Sequence, residues 1–545
     1  MDINRVSLLF FFFLSPEYLS TICPSHPVKM VSLFRGKALR VAQALLIVAP
    51  AFIVFGYNQS GLGPLATLQS WVKVFPEIDT INTHGAQRAK NSTSKGVVIA
   101  SMQLGALVGA LSCTAFGDRL GRRKTIFLGA ILTIIGQLLQ TAAYGLPQFI
   151  VGRVILGLGI GQFSVAVPVW QSECTSAKHR GQHVIVDGIC ICLGYTLCNW
   201  IDFGLSKVSG SLQWRVPLVV SFFFSLVVLA AVFLLPESPR WLVSVGRIEE
   251  ATESLAAYKG VPDDDESVRV EIAGIETSLE TSADSASLKD IFNFNKPDEE
   301  RLLYRFCLCV ALQFFQQMCG GNLISTYIST IFEEDLGMTS DLARILSSCA
   351  MTWKFLCSFI AFFAIDRLGR RKIFMISGTG MSVCMMALAI TNSFKDNRAA
   401  AITSAFFMFL FNSFYPVGFL GGNFLYCTEV APMRLRVAMS AISTANHWLW
   451  NFVVVMITPV ALDTIGYRYY IVYAVISACI PVSVYFFYPE TMNRNLEALN
   501  HVFRDASTPW QIVNMARHLP QGEAAEVDVW MRAEEKGIVE QKEDA

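Results

Sequence analysis

Apolar residues in this chain come in blocks of about 20, the length an α-helix needs to cross the hydrocarbon core of a bilayer. Such blocks recur near 40–62, 96–117, 125–144, 148–170, 183–205 and 215–235. After a polar stretch they resume near 303–332, 342–365, 373–392, 399–428, 437–462 and 467–488. In lipid only helices and closed barrels satisfy their own backbone, and the period-2 alternation of barrel strands is missing. The pattern predicts an all-α polytopic membrane protein with about twelve transmembrane helices in two groups of six. Composition agrees. The 545 residues are 53% hydrophobic and 16% charged, where a soluble domain carries about 25% charge.

Lys/Arg placement orients the helices. GDRLGRRK (117–124), AKHRG (177–181), DRLGRRK (366–372) and MRLR (433–436) fall in alternate loops. Those loops are expected in the cytoplasm, together with both termini. Loop 63–95 then lies outside and carries the sequon Asn91-Ser92-Thr93, an expected glycosylation site. This divides the chain into a cytoplasmic segment 1–39, a first half 40–235, a linker 236–302 with amphipathic helices, a second half 303–488 and a cytoplasmic tail 489–545. Within the first segment, RVSLLFFFFLS resembles the apolar core of a signal peptide. Because Met30 starts a tail-like MVSLFRGKALR, residues 1–29 are read instead as a gene-model extension.

Forty-three basic residues balance 43 acidic ones, so no nucleic-acid partner is expected. The 14 cysteines form no CxxC or disulfide framework and read as small packing residues. Neither a nucleotide-binding loop nor a metal-ligand cluster is visible. No cofactor, no metal and no enzymatic activity are expected.

The halves repeat one another. GDRLGRRK recurs as IDRLGRRK, Glu173…Arg180 as Glu429…Arg436, and PESPR (236–240) as PETMNR (489–494), each roughly 250 residues on. Parallel repeats of this kind mark secondary transporters, whose halves rock about a central site. The set GDRLGRRK, GRVILGLGIG (152–161), the two E-x6-R pairs, PESPRWL, QQMCGGN (316–322), DRLGRRK and PETMNRNLEAL resembles the sugar porter family of the major facilitator superfamily over about 40–500. GYRYYIVYAVISACIPVSVYFFYPET suggests a fungal member.

The resemblance implies a secondary transporter moving a hexose, pentose or small oligosaccharide by alternating access, as a uniporter or coupled to protons. The plasma membrane is its expected location, and each chain should hold a complete pathway. It also implies an ion-pair latch on the cytoplasmic side, built from Asp118, Arg122, Glu173, Arg180, Glu237, Arg240, Asp366, Arg370, Glu429, Arg436 and Glu490. On the seventh block Gln313, Gln316, Gln317 and Gly320 share one helix face. Side-chain amides both donate and accept, which suits sugar hydroxyls. The family's sugar contacts fall on Gln316, Gln317 and Asn322, with Trp448 and Asn451 on the eleventh block.

Several positions depart from the family pattern. Asn58 stands where proton-coupled members resemble FGYD, facing Arg153. Asp187-Gly188 replaces a sugar-binding glutamine, and Phe424 a tryptophan. His447 occupies a position that is usually polar. Lys354 replaces a substrate-facing asparagine, roughly 18 Å from the cytoplasmic end of its helix. A lysine there costs about 2.5–3.5 kcal/mol on insertion scales. Three readings stay open: Lys354 pairs with Asp187 and carries a coupling proton, anchors a sugar acid or quinate-like anion, or is hydrated or packed. An exporter of a small hydroxylated metabolite and a non-transporting sugar sensor are the remaining alternatives.

Overall fold

The computed structural model describes residues 34–518, apart from positions 67, 81, 175–179, 282–290, 292–297, 299, 395–396, 433–434, 493, 495 and 507. The expectations for residues 1–29 and for the end of the tail lie outside the described residues.

Among the described residues, twelve helices are long and apolar enough to cross a membrane. They are Lys37–Leu65, Gly85–Leu120, Arg122–Thr141, Leu146–Cys174, Val184–Leu205 and Leu212–Leu234, then Leu302–Glu333, Ser340–Leu368, Arg370–Thr391, Arg398–Val430, Ala438–Ile465 and Arg468–Phe487. They match the twelve apolar blocks, with one large difference. The second span begins at Gly85, about eleven residues before its apolar block. That extra stretch, GAQRAKNSTSK, is polar but rich in Ala, Gln, Arg and Lys, good helix formers that need no lipid. Between the groups, Pro239–Ser244, Ile248–Lys259 and Glu266–Thr281 form short helices with a small core of their own around Trp241, Leu255 and Val268.

Two spans are broken at mid-length. The seventh runs Leu302–Met318, turns at Gly320 (φ 88°) and resumes at Gly321–Thr330. The tenth runs Arg398–Phe419, breaks at Gly421 and resumes at Gly422–Val430. Both restarts open on the same three letters, GGN, at 320–322 and 421–423. The breaks bring backbone ends and amide side chains to the seam between halves, where irregular backbone is tolerated in a membrane because protein covers it.

Candidate functional site

Polar side chains cluster where the two broken spans meet the eleventh. Gln313 and Gln316 lie on one face of the seventh span, and both side-chain oxygens accept from Asn423 Nδ2, at 2.8 and 2.9 Å. His447 Nδ1 lies 2.6 Å from Gln316 Oε1 and 2.9 Å from Gln317 Nε2. Its tautomer therefore decides whether it donates to one or accepts from the other. Gln317 Oε1 accepts from Asn322 Nδ2. Asn322 Oδ1 accepts from Gln59 Nε2 on the first span at 2.9 Å. This last bond joins the halves. Gln313, Gln316, Gln317, Asn322 and Asn423 are all buried.

Aromatic rings close the cluster. Phe55 of the first span packs on Trp448 with centroids 4.8 Å apart, and Phe424 on His447 at 5.5 Å. Trp448 Nε1 donates across the seam to Ser164 Oγ at 3.1 Å. A cavity of about 10 Å³ beside Gln313, Phe424, Ser164 and Thr444 has room for one water molecule. In this conformation the amides are thus satisfied mainly by one another. Some capacity is unspent: the Asn451 amide, Asn423 Oδ1 and both Asp187 oxygens are buried without a hydrogen-bond partner. Desolvated polar atoms of this kind cost about 1–3 kcal/mol each, a cost that a polyhydroxylated ligand would relieve.

Of the three readings left open for Lys354, the packed one describes its contacts in this conformation. Its ammonium donates to Ser325 Oγ at 2.6 Å and stands over the rings of Tyr195 and Tyr415, at 4.3 and 4.7 Å from their centroids. It is fully buried. The pair with Asp187, another of the three readings, is not formed in this conformation. Lys354 is level with the Tyr195 turn of the fifth span, since Thr196 Oγ1 donates to Met351 O. Asp187 sits eight residues before Tyr195, about 12 Å along the helix and about 80° around it.

Gly188 also has a positive reason to be glycine. A Cβ there would lie 2.9 Å from the Leu420 carbonyl oxygen, at the break of the tenth span. The missing glutamine is replaced by backbone, not by open space.

The charged loops behave as two separate clusters. Arg122 binds Glu173 at 2.8 and 2.9 Å and Asp118 at 3.1 Å, while the Arg123 amide donates to Glu237. Arg370 binds Glu429 at 3.0 Å and Asp366 at 3.1 Å, while the Arg370 and Arg371 amides donate to Glu490. Each of these bonds stays within one half, so the ion pairs expected on this side form in this conformation as two clusters. Arg240 lies in the first short linker helix and Arg436 starts the eleventh-span helix. The Arg180 side chain is outside the described residues.

The halves are instead tied at the opposite end. Asp463 of the eleventh span accepts from Ser92 Oγ at 2.6 Å and Arg88 at 3.2 Å, and Lys207 pairs with Asp341 at 2.5 Å. At Gly63 a Cβ would fall 2.0 Å from Thr326 O, so the first and seventh spans touch backbone to backbone.

Asn91 does not fit its expected role. It lies within the second-span helix, 2% exposed, with Nδ2 donating to Asp79 O at 2.7 Å. The nitrogen that would carry a glycan is buried and bonded, because the polar stretch before the apolar block folds as helix and not as loop. Asn58 is committed too, its Nδ2 donating to Val54 O at 2.9 Å, and Arg153 donates to Ile99 O at 2.7 Å. The two are not paired with each other in this conformation.

Sequence reasoning missed Asn423, Gln59, Ser325, Tyr195 and Tyr415. The repeated GGN would have found Asn423 beside Asn322. For the others no local signal exists, because each is defined by a partner on another span.

Comparison with known proteins accords with this geometry. Residues 44–503 match the family model "Sugar (and other) transporter". Sugar transporter STL1 of Saccharomyces cerevisiae is 34% identical over 502 residues, covering 90% of this chain and 86% of that protein. The MFS-type transporter oryC of Aspergillus oryzae is 34% identical over 455 residues, covering 83% of each. In fold, the chain resembles the proton:xylose symporter XylE bound to 6-bromo-6-deoxy-D-glucose, with a TM-score of 0.73 at 22% identity over 85% of this chain and 99% of that one. Twelve spans, two mid-membrane breaks, an amide cluster at the seam and a family match over most of its length lead to one conclusion: the chain is an integral membrane protein of the Sugar (and other) transporter family, with the major facilitator fold.

Proposed function

We propose that this protein moves a neutral sugar or closely related polyhydroxy compound across a membrane by alternating access. The observation that carries this reading is the buried cluster Gln313, Gln316, Gln317, Asn322, Asn423 and His447 at the junction of the two broken spans. A hydroxyl is both donor and acceptor, and so is an amide. Sugar hydroxyls can therefore replace the amide–amide bonds one for one, and Asn451 and Asp187 add the partners that are now unspent. Phe424, Phe55 and Trp448 offer faces to the sugar's C–H surface. Lys354 belongs to the wall, its charge held by Ser325 and two tyrosine rings, which favours a neutral substrate over an anionic one.

Because the Gln59–Asn322 bond spans the seam, a sugar that competes for Asn322 also competes with closure of that end. Binding and rocking are linked through differential contact, as a population shift requires. The loops with GRRK face the cytoplasm in this reading, as do both termini, and the plasma membrane is the site of action. Each chain holds one pathway and works as a monomer. With Asn58 unable to take a proton, any coupling to protons runs through another group. The test is counterflow in proteoliposomes, with a panel of labelled hexoses, pentoses, polyols, gluconate and quinate. Exchange of neutral compounds supports the reading, and exchange confined to gluconate or quinate overturns it.

A further inference from the structure

Beyond the twelfth span, Arg468–Phe487, lie two short helices, Leu496–Asp505 and Pro509–His518. The second is amphipathic. Its Ile512, Val513 and Ala516 are buried, and it packs against both Leu496–Asp505 and the twelfth span. Trp510, in contrast, is 44% exposed. At about 100° per residue, Trp510 and Arg517 fall within about 20° of one another, on one flank of the buried face.

Trp510 is held against the last turn of the twelfth span. Its ring lies 5.8 Å from that of Tyr485 and 5.9 Å from that of Phe486, centroid to centroid. Tyr485, Phe486 and Phe487 are themselves 44%, 48% and 47% exposed. They close a membrane span, so the surface they show is the one that meets the bilayer, and Trp510 continues it. Tyr and Trp gather at the boundary between acyl chains and headgroups, where one end of the ring is dry and the other wet. In water the same four rings would form a contiguous apolar patch.

Cations border this patch. The Arg371 guanidinium stands over the Tyr485 ring at 5.2 Å and donates to Val484 O at 3.3 Å. Arg494 donates to Arg517 O at 3.1 Å, which brings another guanidinium to the end of the helix. Arg517 and His518 are exposed. Glu490, in the connecting loop, is spent on the backbone amides of Arg370, Arg371, Thr491 and Met492.

We propose that the helix Pro509–His518 is a lipid-binding element: it seats Trp510 in the interface of the leaflet beside the GRRK loops, and Arg517 pairs with the phosphate of an anionic phospholipid headgroup. Continuity decides the occupant, because the ring patch runs without a break into the lipid-facing end of the twelfth span. A helix with one face on protein and a Trp–Arg flank beside the bilayer has the composition of an interfacial anchor. A headgroup held there ties the tail to the ninth and twelfth spans, through Arg371 and Tyr485. The inference needs the chain to lie in a membrane and does not depend on what it carries.

The test uses the full chain, made with fluorotryptophan, placed in lipid nanodiscs and read by fluorine NMR. The line that disappears in Trp510→Phe, or in Trp510→Tyr should the first variant not fold, belongs to Trp510. A phospholipid carrying a nitroxide on its upper acyl chain should broaden that line away, and a water-soluble gadolinium chelate should leave it. Titrating phosphatidylserine into phosphatidylcholine discs should shift the line to saturation, and high salt should reverse the shift. Arg517→Gln should need about fivefold more phosphatidylserine for half the shift, the factor that one basic residue contributes near an anionic surface. Broadening by the chelate overturns the proposal, because the helix then stands in water. A line that neither agent broadens also overturns it, because protein, residues 519–545 included, then covers Trp510. No shift with phosphatidylserine, an unchanged midpoint in Arg517→Gln, or the same shift from inorganic phosphate alone overturns the headgroup assignment.

Discussion

Removing one wall of the cage around Lys354 gives the most direct check on how this fold tolerates a buried ammonium. The side chain is fully buried, between Tyr195 at 4.3 Å, Tyr415 at 4.7 Å and Ser325 Oγ at 2.6 Å. A desolvated cation–π contact is worth about 2 kcal/mol, and a hydrogen bond to a charged donor about 1.5–3 kcal/mol. Two rings and one hydroxyl thus offset the insertion cost of about 2.5–3.5 kcal/mol. Tyr415→Leu loses the ring's packing and also its hold on the ammonium. In a Lys354→Met background the same change loses packing alone. The two effects should therefore be non-additive by about 2 kcal/mol, roughly a 30-fold difference in the unfolding equilibrium. Unfolding by SDS in mixed micelles, followed by thiol labelling of the buried cysteines, measures all four corners of the cycle. Additivity to within about 0.5 kcal/mol would refute the cage as the account of this lysine, and Tyr195→Leu provides an independent repeat.

Other expectations follow from the same coordinates. Gln317→Leu removes one partner each from His447 and Asn322, which keep Gln316 and Gln59, so KM in counterflow should rise about 10- to 100-fold, measured as the half-saturating sugar. Glu429→Gln breaks a buried pair with Arg370, whose side chains are 3% and 7% exposed. It should destabilise the second half by about 3–5 kcal/mol, with the midpoint of SDS unfolding as the readout. The Arg88–Asp463 contact is partly exposed, 37% and 32%, and Arg88→Ala should change stability by less than about 1 kcal/mol, although it frees one tie between the halves. An endoglycosidase digest of protein from a eukaryotic host should leave its gel mobility unchanged as far as Asn91 is concerned, whereas Asn91→Ala should lower the free energy of SDS unfolding by about 1–3 kcal/mol.

The fold was legible from sequence because hydropathy is local. Each apolar block reports its own burial in lipid, and twelve such blocks with basic residues in alternate loops leave few architectures. The seventh-span break was legible as CGG after a polar stripe, and its counterpart was available as the second GGN at 421–423, although only the folded chain made the pair evident. The charged loops could be named residue by residue, but not the partners they choose: Arg122 and Glu173 stay in one half, as do Arg370 and Glu429.

The sequence by itself determined the number of spans, the two-fold repeat, the family and the amide stripe of Gln313, Gln316 and Gln317. Tertiary structure alone decided what Lys354 touches, why Gly188 is small, that Asn91 is buried in a helix and that Trp510 packs on the end of the twelfth span. The reason is geometric. A helix fixes height at about 1.5 Å and rotation at about 100° per residue along itself. No property of one helix fixes its height or rotation against a neighbour, and a few residues of relative slide separate an ion pair from an aromatic cage.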